Sequence, residues 1–454
     1  MNSTVPAHGD SSRGASRRQF LKTSSVVAAG SALAGSLSLA RSAHATGDDI
    51  VKIALVGCGG RGTGACQQAL STSGPIKLVA MADAFADRLA QSYKQLSRSH
   101  ADRVDVPEDR RFIGFDAYQK ALDSGIDVVL LATPPGFRPI HFEAAVKAGK
   151  HVFMEKPVAT DAIGVRRVIA TAAEAKAKNL KVGVGLQRHH EASYLEAVKR
   201  LHDGAIGDIQ SMRIYWNGGP VPLFRVFPRD TLHKDKADLT EMEYQMRNWY
   251  NFVWTCGDHI VEQHVHNIDV AHWVMRGPPV RANGMGGHAG PRTRDNGEIY
   301  DHHIVEYEYA DGSRVYSQCR RIDNCWNSVS EHVLGTKGTA VVSKSIDPTG
   351  GKKWTYPKGK DKNPNPYQVE HDDLFAAIRS GTPYNEAENG ALSTMMAILG
   401  RMCTYSGKVL TWDEAFNSQV SVMPKEFSWQ ATPPTLPDEN GWYALATPGK
   451  TRVV

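Results

Sequence analysis

A histidine-rich segment, residues 257–273, places several side chains that can transfer protons at helical spacing. At about 100° per residue, His259, Glu262, His266 and Asp269 fall on one stripe of a helix. An imidazole with a pKa near ~6.5 can accept or release a proton close to neutral pH, and a carboxylate beside it can orient it. Because the stripe is polar where an amphipathic helix would bury aliphatic side chains, it predicts a helix that faces a cleft.

The same stripe leaves two other interpretations open. His259, Glu262 and His266 could ligate a divalent metal ion, with a fourth ligand from His302 or His303. Their spacing spans about 10 Å, or two helical turns, which is wide for three ligands of one ion, so we predict no metal. A buried His–Glu pair that only satisfies its own hydrogen bonds is the structural alternative.

A glycine-rich turn offers a second kind of chemistry, the binding of phosphates. An apolar run over residues 51–56 leads directly into Gly57-Cys58-Gly59-Gly60-Arg61-Gly62, and helix-like residues 65–70 follow. Gly57 permits a tight turn, Gly59 lets the backbone approach a pyrophosphate, and Gly62 lets helix and strand pack closely. The start of the helix would face the phosphate charge, so this pattern predicts a dinucleotide site.

The acid after the second strand indicates which dinucleotide binds. A strand predicted over residues 77–82 ends before Asp83, which lies 21 residues after Gly62, close to the ~20 of such sites. Asp83 would accept hydrogen bonds from ribose hydroxyls and repel a 2′-phosphate. We therefore predict NAD, with NADP less favoured but kept open by Arg61 and Arg88.

The elements that position these residues form two patterns. In the first half, predicted strands alternate with predicted helices, which is typical of a Rossmann fold, a doubly wound parallel sheet. The strands lie over 51–56, 77–82, 126–133, 151–154 and 181–186, and the later helices over 140–148 and 162–179. Further strands are predicted over 209–216, 280–286, 302–309, 313–320 and 331–343. The fold class is α/β, with an N-terminal Rossmann sheet and an α+β C-terminal domain built on a large, open, mostly antiparallel sheet.

Residues 1–45 have the features of a twin-arginine export signal. Arg17 and Arg18 precede Gln-Phe-Leu-Lys, and a mild Ala/Gly/Ser/Leu stretch runs to the small-residue site Ala43-His44-Ala45. Passage through the twin-arginine machinery predicts a periplasmic protein that folds before export. Since no soluble cofactor pool is expected outside the cytoplasm, we expect a cofactor loaded before export and then held tightly.

Charge and hydropathy exclude two other classes of partner. Residues 1–45 hold five Lys and Arg against one acid, so the remaining chain has a net charge of only about +1. That balance gives no support for nucleic-acid binding. No apolar run reaches the ~18–20 residues of a membrane span, so we predict no stable membrane insertion.

Two segments resemble the Gfo/Idh/MocA family of oxidoreductases, named for glucose–fructose oxidoreductase and inositol dehydrogenase. They are Ala132-Thr133-Pro134-Pro135 and Gly149-Lys150-His151-Val152-Phe153-Met154-Glu155-Lys156-Pro157. The resemblance implies a substrate site between the two domains and a homodimer or homotetramer. It divides the chain into a signal peptide (1–45), an NAD(P)-binding Rossmann domain (48–188) and a substrate-binding and oligomerisation domain (189–454), whose helices over 370–405 pack back on the Rossmann domain.

The resemblance also assigns site residues. Lys156 would hydrogen-bond the reacting oxygen and stabilise the alkoxide, and His266 would take the hydroxyl proton. Glu262 stands where the family has aspartate, so its part as orienter or substrate ligand is left open. The predicted cofactor-binding residues are Gly57, Gly59, Gly60, Arg61, Gly62, Asp83, Thr133, Pro134, Glu155, Lys156 and Gln187. The predicted substrate-binding residues are Lys156, Arg188, His259, Glu262 and His266.

These features predict an exported NAD-dependent oxidoreductase that acts on a secondary hydroxyl of a sugar, glycoside or cyclitol. A second sugar or keto-sugar would return the hydride in place. One alternative is a glycosidase that oxidises, eliminates, hydrates and re-reduces its substrate with no net redox change. Another is a non-catalytic subunit that binds NAD and a sugar.

Overall fold

The computed structural model describes residues 49–219, 226–235, 238–357, 359 and 362–454. The export signal predicted over residues 1–45 lies outside these residues.

Six apolar strands form a parallel sheet in the order β3-β2-β1-β4-β5-β6. The strands are β1 (Val51–Val56), β2 (Ile76–Asp83), β3 (Arg111–Ile113), β4 (Val128–Leu131), β5 (His151–Met154) and β6 (Val182–Val184). β1, β4, β5 and β6 are buried almost throughout, because helices cover both faces of the sheet. The prediction of a doubly wound Rossmann sheet is confirmed.

The connections of this sheet are helical, as the alternating pattern predicted. The main helices are Gly60–Leu70, Ala86–Ser99, Ala117–Leu122, Arg138–Lys147 and Ala162–Ala177. A single turn of 3₁₀ helix, Gln187–His190, leads into helix Ala192–His202 and the second domain.

The second sheet has nine strands in the order β14-β13-β12-β11-β7-β10-β9-β8-β15. Its long strands are β7 (Ile209–Gly218), β8 (Arg281–Gly287), β9 (His302–Glu308), β10 (Arg314–Arg321) and β11 (Ser328–Gly335). The short ones are β12 (Gly338–Val341), β13 (Ser345–Pro348), β14 (Trp354–Thr355) and β15 (Leu410–Thr411). The central pair β7–β10 is parallel and the other pairs are antiparallel, so the mostly antiparallel prediction is confirmed.

The single strand predicted over 331–343 was wrong. The segment forms an antiparallel hairpin of β11 and β12, joined at Thr336 and Lys337. Gly338 at its end has φ +155°, and a Cβ there would lie 2.5 Å from the carbonyl oxygen of Asp347. The turn therefore depends on a glycine inside the segment that was predicted as one strand.

The histidine-rich segment is also interrupted. It forms two helices, His259–Glu262 and Val265–Met275, where the sequence predicted one continuous stripe. At the break, the amide of His264 donates to the carbonyl of His259 five residues back, instead of four. The His264 side chain pairs with Ser317 Oγ on β10 at 2.8 Å, which ties the break to the sheet.

Two C-terminal helices, Pro366–Ser380 and Ala387–Ser406, connect the sheets. Leu374, Phe375 and Ile378 belong to the apolar core that includes β1 and the glycine-turn helix. Helix Ala387–Ser406 packs against helix Ala162–Ala177 and strand β8. Within the described residues, no helix has both the length and the apolar character needed to cross a bilayer.

The shorter helices that complete the second domain are Arg229–Asp235, Glu241–Arg247, Val253–Cys256 and Trp412–Phe416.

We expect Leu374→Ala to lower the free energy of unfolding by about 2–4 kcal/mol, since it would leave a cavity where the helix meets the Rossmann core. Leu374 is fully buried, whereas Leu195 is 46% exposed. Leu195→Ala is therefore the matched control and should change stability by less than about 0.5 kcal/mol. Urea unfolding of both variants checks this, and equal losses would contradict the packing described.

Candidate active site

The glycine turn leaves an open cradle at the carboxyl end of β1. Gly57 has φ +97°, and a Cβ on Gly62 would lie 1.9 Å from the carbonyl oxygen of Gly57. At Gly59 and Gly60, by contrast, an added Cβ would meet no heavy atom within 4 Å. Helix Gly60–Leu70 begins here without a side-chain cap, so its first amide groups are free to bind phosphate oxygens.

Asp83 lies at the end of β2, next to this cradle. Its Oδ2 accepts a hydrogen bond from the amide of Cys58 at 2.6 Å, and its Oδ1 accepts one from the amide of Phe85 at 2.8 Å. Each oxygen has a second lone pair for a ribose hydroxyl. Burial raises the pKa of the Asp83 carboxyl against the effect of these hydrogen bonds. The cradle and the carboxylate fit the diphosphate and adenosine ribose of NAD.

A buried arginine that the sequence patterns did not indicate connects the carboxyl ends of β4 and β5. Arg138 is 1% exposed. Its guanidinium donates to the carbonyls of Leu131 at 2.7 Å, Thr133 at 2.7 Å and Glu155 at 2.9 Å. These contacts fix Thr133-Pro134 relative to Glu155-Lys156. No local pattern distinguishes this arginine from a surface residue, because its three shortest hydrogen bonds go to backbone carbonyls.

Glu155 and Lys156 form ion pairs with different parts of the chain. Glu155 Oε1 accepts a hydrogen bond from Arg61 Nε of the glycine turn at 2.6 Å. Lys156 Nζ donates to the carbonyl oxygen of Glu262 at 2.6 Å and to its Oε1 at 3.1 Å. The Lys156–Pro157 peptide bond is cis. The Glu-Lys dipeptide thus joins the nucleotide cradle to the histidine-rich segment.

Glu262 is the buried acid of this group. Its Oε2 accepts a hydrogen bond from Gln263 Nε2 at 2.7 Å. Burial raises the pKa of Glu262, although the charge of Lys156 opposes that shift. Two of the three Nζ hydrogens of Lys156 are directed at Glu262, so one donor is left for another oxygen.

His266 stacks on Trp216 of β7, with ring centroids 5.6 Å apart and planes 20° apart. Burial, together with the positive charges of Lys156, Arg188 and Arg61, holds the pKa of His266 well below its usual range. The imidazole is therefore neutral at neutral pH and can accept a proton. Its Nδ1 is buried and has no hydrogen-bond partner among the described residues.

Arg188 supports His266 through the backbone. Its Nη1 donates to the carbonyl of His266 at 3.0 Å and to Glu331 Oε1 at 2.6 Å. Tyr194 donates to the other Glu331 oxygen at 3.1 Å. The guanidinium predicted to bind substrate is thus 8% exposed and engaged in holding the His266 backbone.

His259 lies in a neighbouring network. Its Nδ1 is 3.2 Å from the hydroxyl of Tyr250. Burial, with the charge of Arg321, lowers the pKa of His259 to about 3. Asp258, which precedes it, has φ +78° and accepts hydrogen bonds from the amides of His259 and Tyr300 and the hydroxyl of Tyr405.

The structure does not bring the whole predicted stripe to one cleft. Asp269 binds His189 Nε2 at 2.9 Å and Ser393 Oγ at 2.8 Å, away from Lys156 and Glu262. The break at residues 263–264 changes the helical phase between the two ends, which is why the straight-helix extrapolation was wrong. In the described part of the chain, no group of three or more His, Cys, Asp or Glu side chains could hold a metal ion, and His259, Glu262 and His266 form no such group.

Three further predicted cofactor residues, Thr133, Pro134 and Gln187, follow strands of the Rossmann sheet, and the Thr133 amide nitrogen would lie 2.5 Å from a Cβ on Gly57. Thr133 Oγ1 is 3.2 Å from His141 Nδ1, and Pro134 precedes the 3₁₀ turn Pro135–Phe137. Gln187 begins the 3₁₀ turn after β6, and its Oε1 is buried without a partner among the described residues.

Comparisons with known proteins identify both parts of the fold. Residues 51–185 match the family model for the oxidoreductase family with an NAD-binding Rossmann fold, and residues 194–341 match the GFO/IDH/MocA C-terminal domain. Inositol 2-dehydrogenase of Rhizobium meliloti (strain 1021) is 24% identical over 357 residues, which cover 76% of this chain and 94% of that protein.

Solved structures share the fold. The aldose–aldose oxidoreductase of Caulobacter crescentus, complexed with glycerol, superposes with a TM-score of 0.60 at 18% identity, covering 80% of this chain and 99% of that chain. The scyllo-inositol dehydrogenase of Lactobacillus casei, with bound NAD(H) and scyllo-inositol, superposes with a TM-score of 0.58 at 20% identity and the same coverage.

We expect Asp258→Asn to lower the free energy of unfolding by about 2 kcal/mol at neutral pH. Burial alone would raise the pKa of Asp258, but His303, Tyr405 and the Tyr300 amide hold it at about 2, below its ordinary 3.8. A carboxyl with a lowered folded-state pKa stabilises above about pH 4, and that contribution is lost as pH falls towards 2.

Urea unfolding from pH 7 downwards checks this expectation. The difference between wild type and Asp258→Asn should shrink below about pH 4. Asp102, whose side chain is 84% exposed, provides the control Asp102→Asn. A difference from wild type that is independent of pH would contradict the assigned contacts.

Proposed function

The chain belongs to the Gfo/Idh/MocA family of oxidoreductases, and from that premise we propose an exported enzyme that oxidises a secondary hydroxyl of a sugar, glycoside or cyclitol with tightly bound NAD. The observation that carries the proposal is the meeting of Lys156 with Glu262 at 3.1 Å, beside a His266 whose pKa is lowered. A cationic donor and a neutral base thus share a site that Glu155 connects to the nucleotide cradle.

Each residue has a definite part in this reaction. Bound NAD would supply the acceptor for the hydride that leaves the substrate carbon. His266 takes the hydroxyl proton, which a neutral imidazole can do without first losing one. Lys156 donates its remaining hydrogen to the developing alkoxide oxygen. Glu262 holds the ammonium group in place, which gives a function to the residue that replaces the family aspartate.

NAD would be held by the open amides of Gly59 and Gly60 and by Asp83. The absence of any atom within 4 Å of an added Cβ at both glycines supports this assignment. Arg61 forms an ion pair with Glu155 at 2.6 Å. Because this arginine is already paired with a carboxylate, the ion pair supports NAD as the cofactor rather than NADP.

Export and recycling form the second part of the proposal. The twin-arginine pattern at Arg17 and Arg18 supports transport of the folded protein to the periplasm. A cofactor that stays bound there must return its hydride to a second molecule. The fold shared with an aldose–aldose oxidoreductase supports a second sugar or keto-sugar as the acceptor.

We also propose a homodimer or homotetramer. Large apolar side chains are exposed on the second sheet, where Met285 of β8, at 74%, is the cross-strand partner of Ile304 of β9, at 48%. Contiguous exposed apolar surface of this kind is typical of subunit interfaces.

Denaturing the processed periplasmic protein should release about one nicotinamide nucleotide per subunit, because the proposed reaction recycles a resident cofactor. Absorbance and chromatography of the released nucleotide measure it. An Arg17→Lys, Arg18→Lys double variant should keep the protein in the cytoplasm without removing the nucleotide. Protein that neither carries nor binds NAD would overturn the proposal, and release of an aglycone without net NADH would favour the glycosidase alternative.

Lys156→Met should lower kcat by about 100-fold or more, because it removes the alkoxide donor. In the wild type, kcat/KM should stay constant as pH falls below ~6.5 and decline only through the lowered pKa of His266. Without the positive charge of Lys156, that acidic limb should move to higher pH.

Lys150→Met is the matched control, since Lys150 Nζ donates to the Ile126 carbonyl at the opposite end of β5. Its pH profile should match that of the wild type. Steady-state rates measured over pH 4–9 test this prediction. An acidic limb of kcat/KM that stays at the same pH in Lys156→Met would contradict the effect of the Lys156 charge on the pKa of His266.

A further inference from the structure

The C-terminal segment carries aromatic rings to the nucleotide side of the molecule. The segment follows helix Trp412–Phe416 and lies beyond residue 341, where the second family match ends. Its Trp429 ring lies 4.6 Å from the Phe115 ring and 5.3 Å from the Phe85 ring, measured between centroids. Phe427 lies 5.4 Å from Phe137.

These rings stand beside Asp83. Phe85 is two residues further along the chain, and its amide donates to Asp83 Oδ1 at 2.8 Å. Phe115 follows β3, and the amide of Gly114 donates to the carbonyl of Asp83 at 3.0 Å. The aromatic side chains therefore gather at the carboxyl ends of β2 and β3, on the side where Asp83 would hold the adenosine ribose.

The rings pack against one another yet keep part of their surface open. Phe85, Phe115, Phe427 and Trp429 are all only partly buried. Arg247 lies over the Phe85 ring, 3.8 Å from its centroid, and pairs with both oxygens of Asp87 at 2.9 Å. Partly open aromatic surface beside a ribose-binding carboxylate suits a flat heteroaromatic base.

The part of the segment that carries the rings is fixed on both sides. Before them, the amide of Val422 donates to Asp161 Oδ2 at 3.1 Å. After them, Thr435 Oγ1 donates to Glu298 Oε2 at 2.7 Å, and Gln245 Nε2 donates to the Thr435 carbonyl at 2.6 Å. Residues 423–434 thus form a strap anchored at each end.

We propose that Trp429, with Phe85 and Phe115, forms the wall that binds the adenine ring, and that the strap 423–434 retains the dinucleotide in its site. This inference rests on the proposed function only in taking NAD as the cofactor. Because the strap belongs to the same chain and is anchored at both ends, the adenosine half leaves only when the strap shifts. Retention of that kind is what a recycled cofactor outside the cytoplasm requires.

Trp429→Ala tests the proposal, with Trp442→Ala as the matched control. Trp442 lies in the same C-terminal segment, but its ring faces Arg292 at 5.5 Å and not the Phe85–Phe115 pair. After gel filtration, the wild type and Trp442→Ala should keep their nucleotide, whereas Trp429→Ala should lose most of it. NADH should leave Trp429→Ala about tenfold faster, followed by its fluorescence.

Binding of AMP and NMN, the two halves of the cofactor, shows which half Trp429 contacts. On protein emptied of nucleotide, Trp429→Ala should weaken AMP binding about tenfold and leave NMN binding unchanged, as measured by calorimetry. If Trp429→Ala weakened AMP and NMN binding equally, or kept as much nucleotide as the wild type, the proposed adenine-binding wall would be wrong. Wild-type protein that neither carries nor binds NAD would instead overturn the proposed function, so the two failures are distinguishable.

If Trp429→Ala does not fold, a second pair of variants tests the same proposal. Trp429→Phe keeps a ring and Trp429→Leu keeps only apolar volume. Faster NADH release from the leucine variant than from the phenylalanine variant supports the aromatic wall, and equal release overturns it.

Discussion

Two ion pairs formed by adjacent residues hold the candidate site together. Glu155 pairs with Arg61, 94 residues earlier, and Lys156 pairs with Glu262, 106 residues later. Partly or fully buried charges cost free energy to desolvate, and they are tolerated when each has a partner. Removing either partner would leave a charge without compensation at the junction of the two domains. The position of Glu262 relative to the nucleotide cradle depends on this dipeptide.

The surroundings of the site shift the pKa values of Glu262 and His266 in opposite directions. Burial raises the pKa of Glu262, whereas burial and the nearby cations lower the pKa of His266. Environments that shift two neighbouring groups in opposite directions are a common way to assign proton-transfer roles. These shifts support the proposed roles of His266 as a neutral proton acceptor and of Lys156 as a hydrogen-bond donor. Arg138 and Arg188 donate hydrogen bonds to backbone carbonyls, so they fix the positions of the Glu155 and His266 backbones.

Local sequence patterns predicted most of the nucleotide-binding half. The predicted strand 151–154 agrees with β5 residue for residue, and Asp83 lies at the end of β2 beside the glycine turn. Periodicity did less well in the second domain. A straight-helix projection placed Asp269 with Glu262, yet the break at 263–264 turns Asp269 towards His189. The hairpin within 331–343 was missed because its turn depends on one glycine.

Short-range rules were enough to predict the alternation of strand, turn and helix, the phosphate cradle and the family, and to single out Lys156 and His266 as candidates. The partners of those side chains became visible only in the folded chain. Glu262 contacts Lys156, Arg188 supports the His266 backbone, and Trp429 packs against Phe85. The partners in each of these contacts lie far apart in the sequence, by 106 residues in the first and 78 in the second. Such contacts depend on how the elements pack, and no local spacing encodes them.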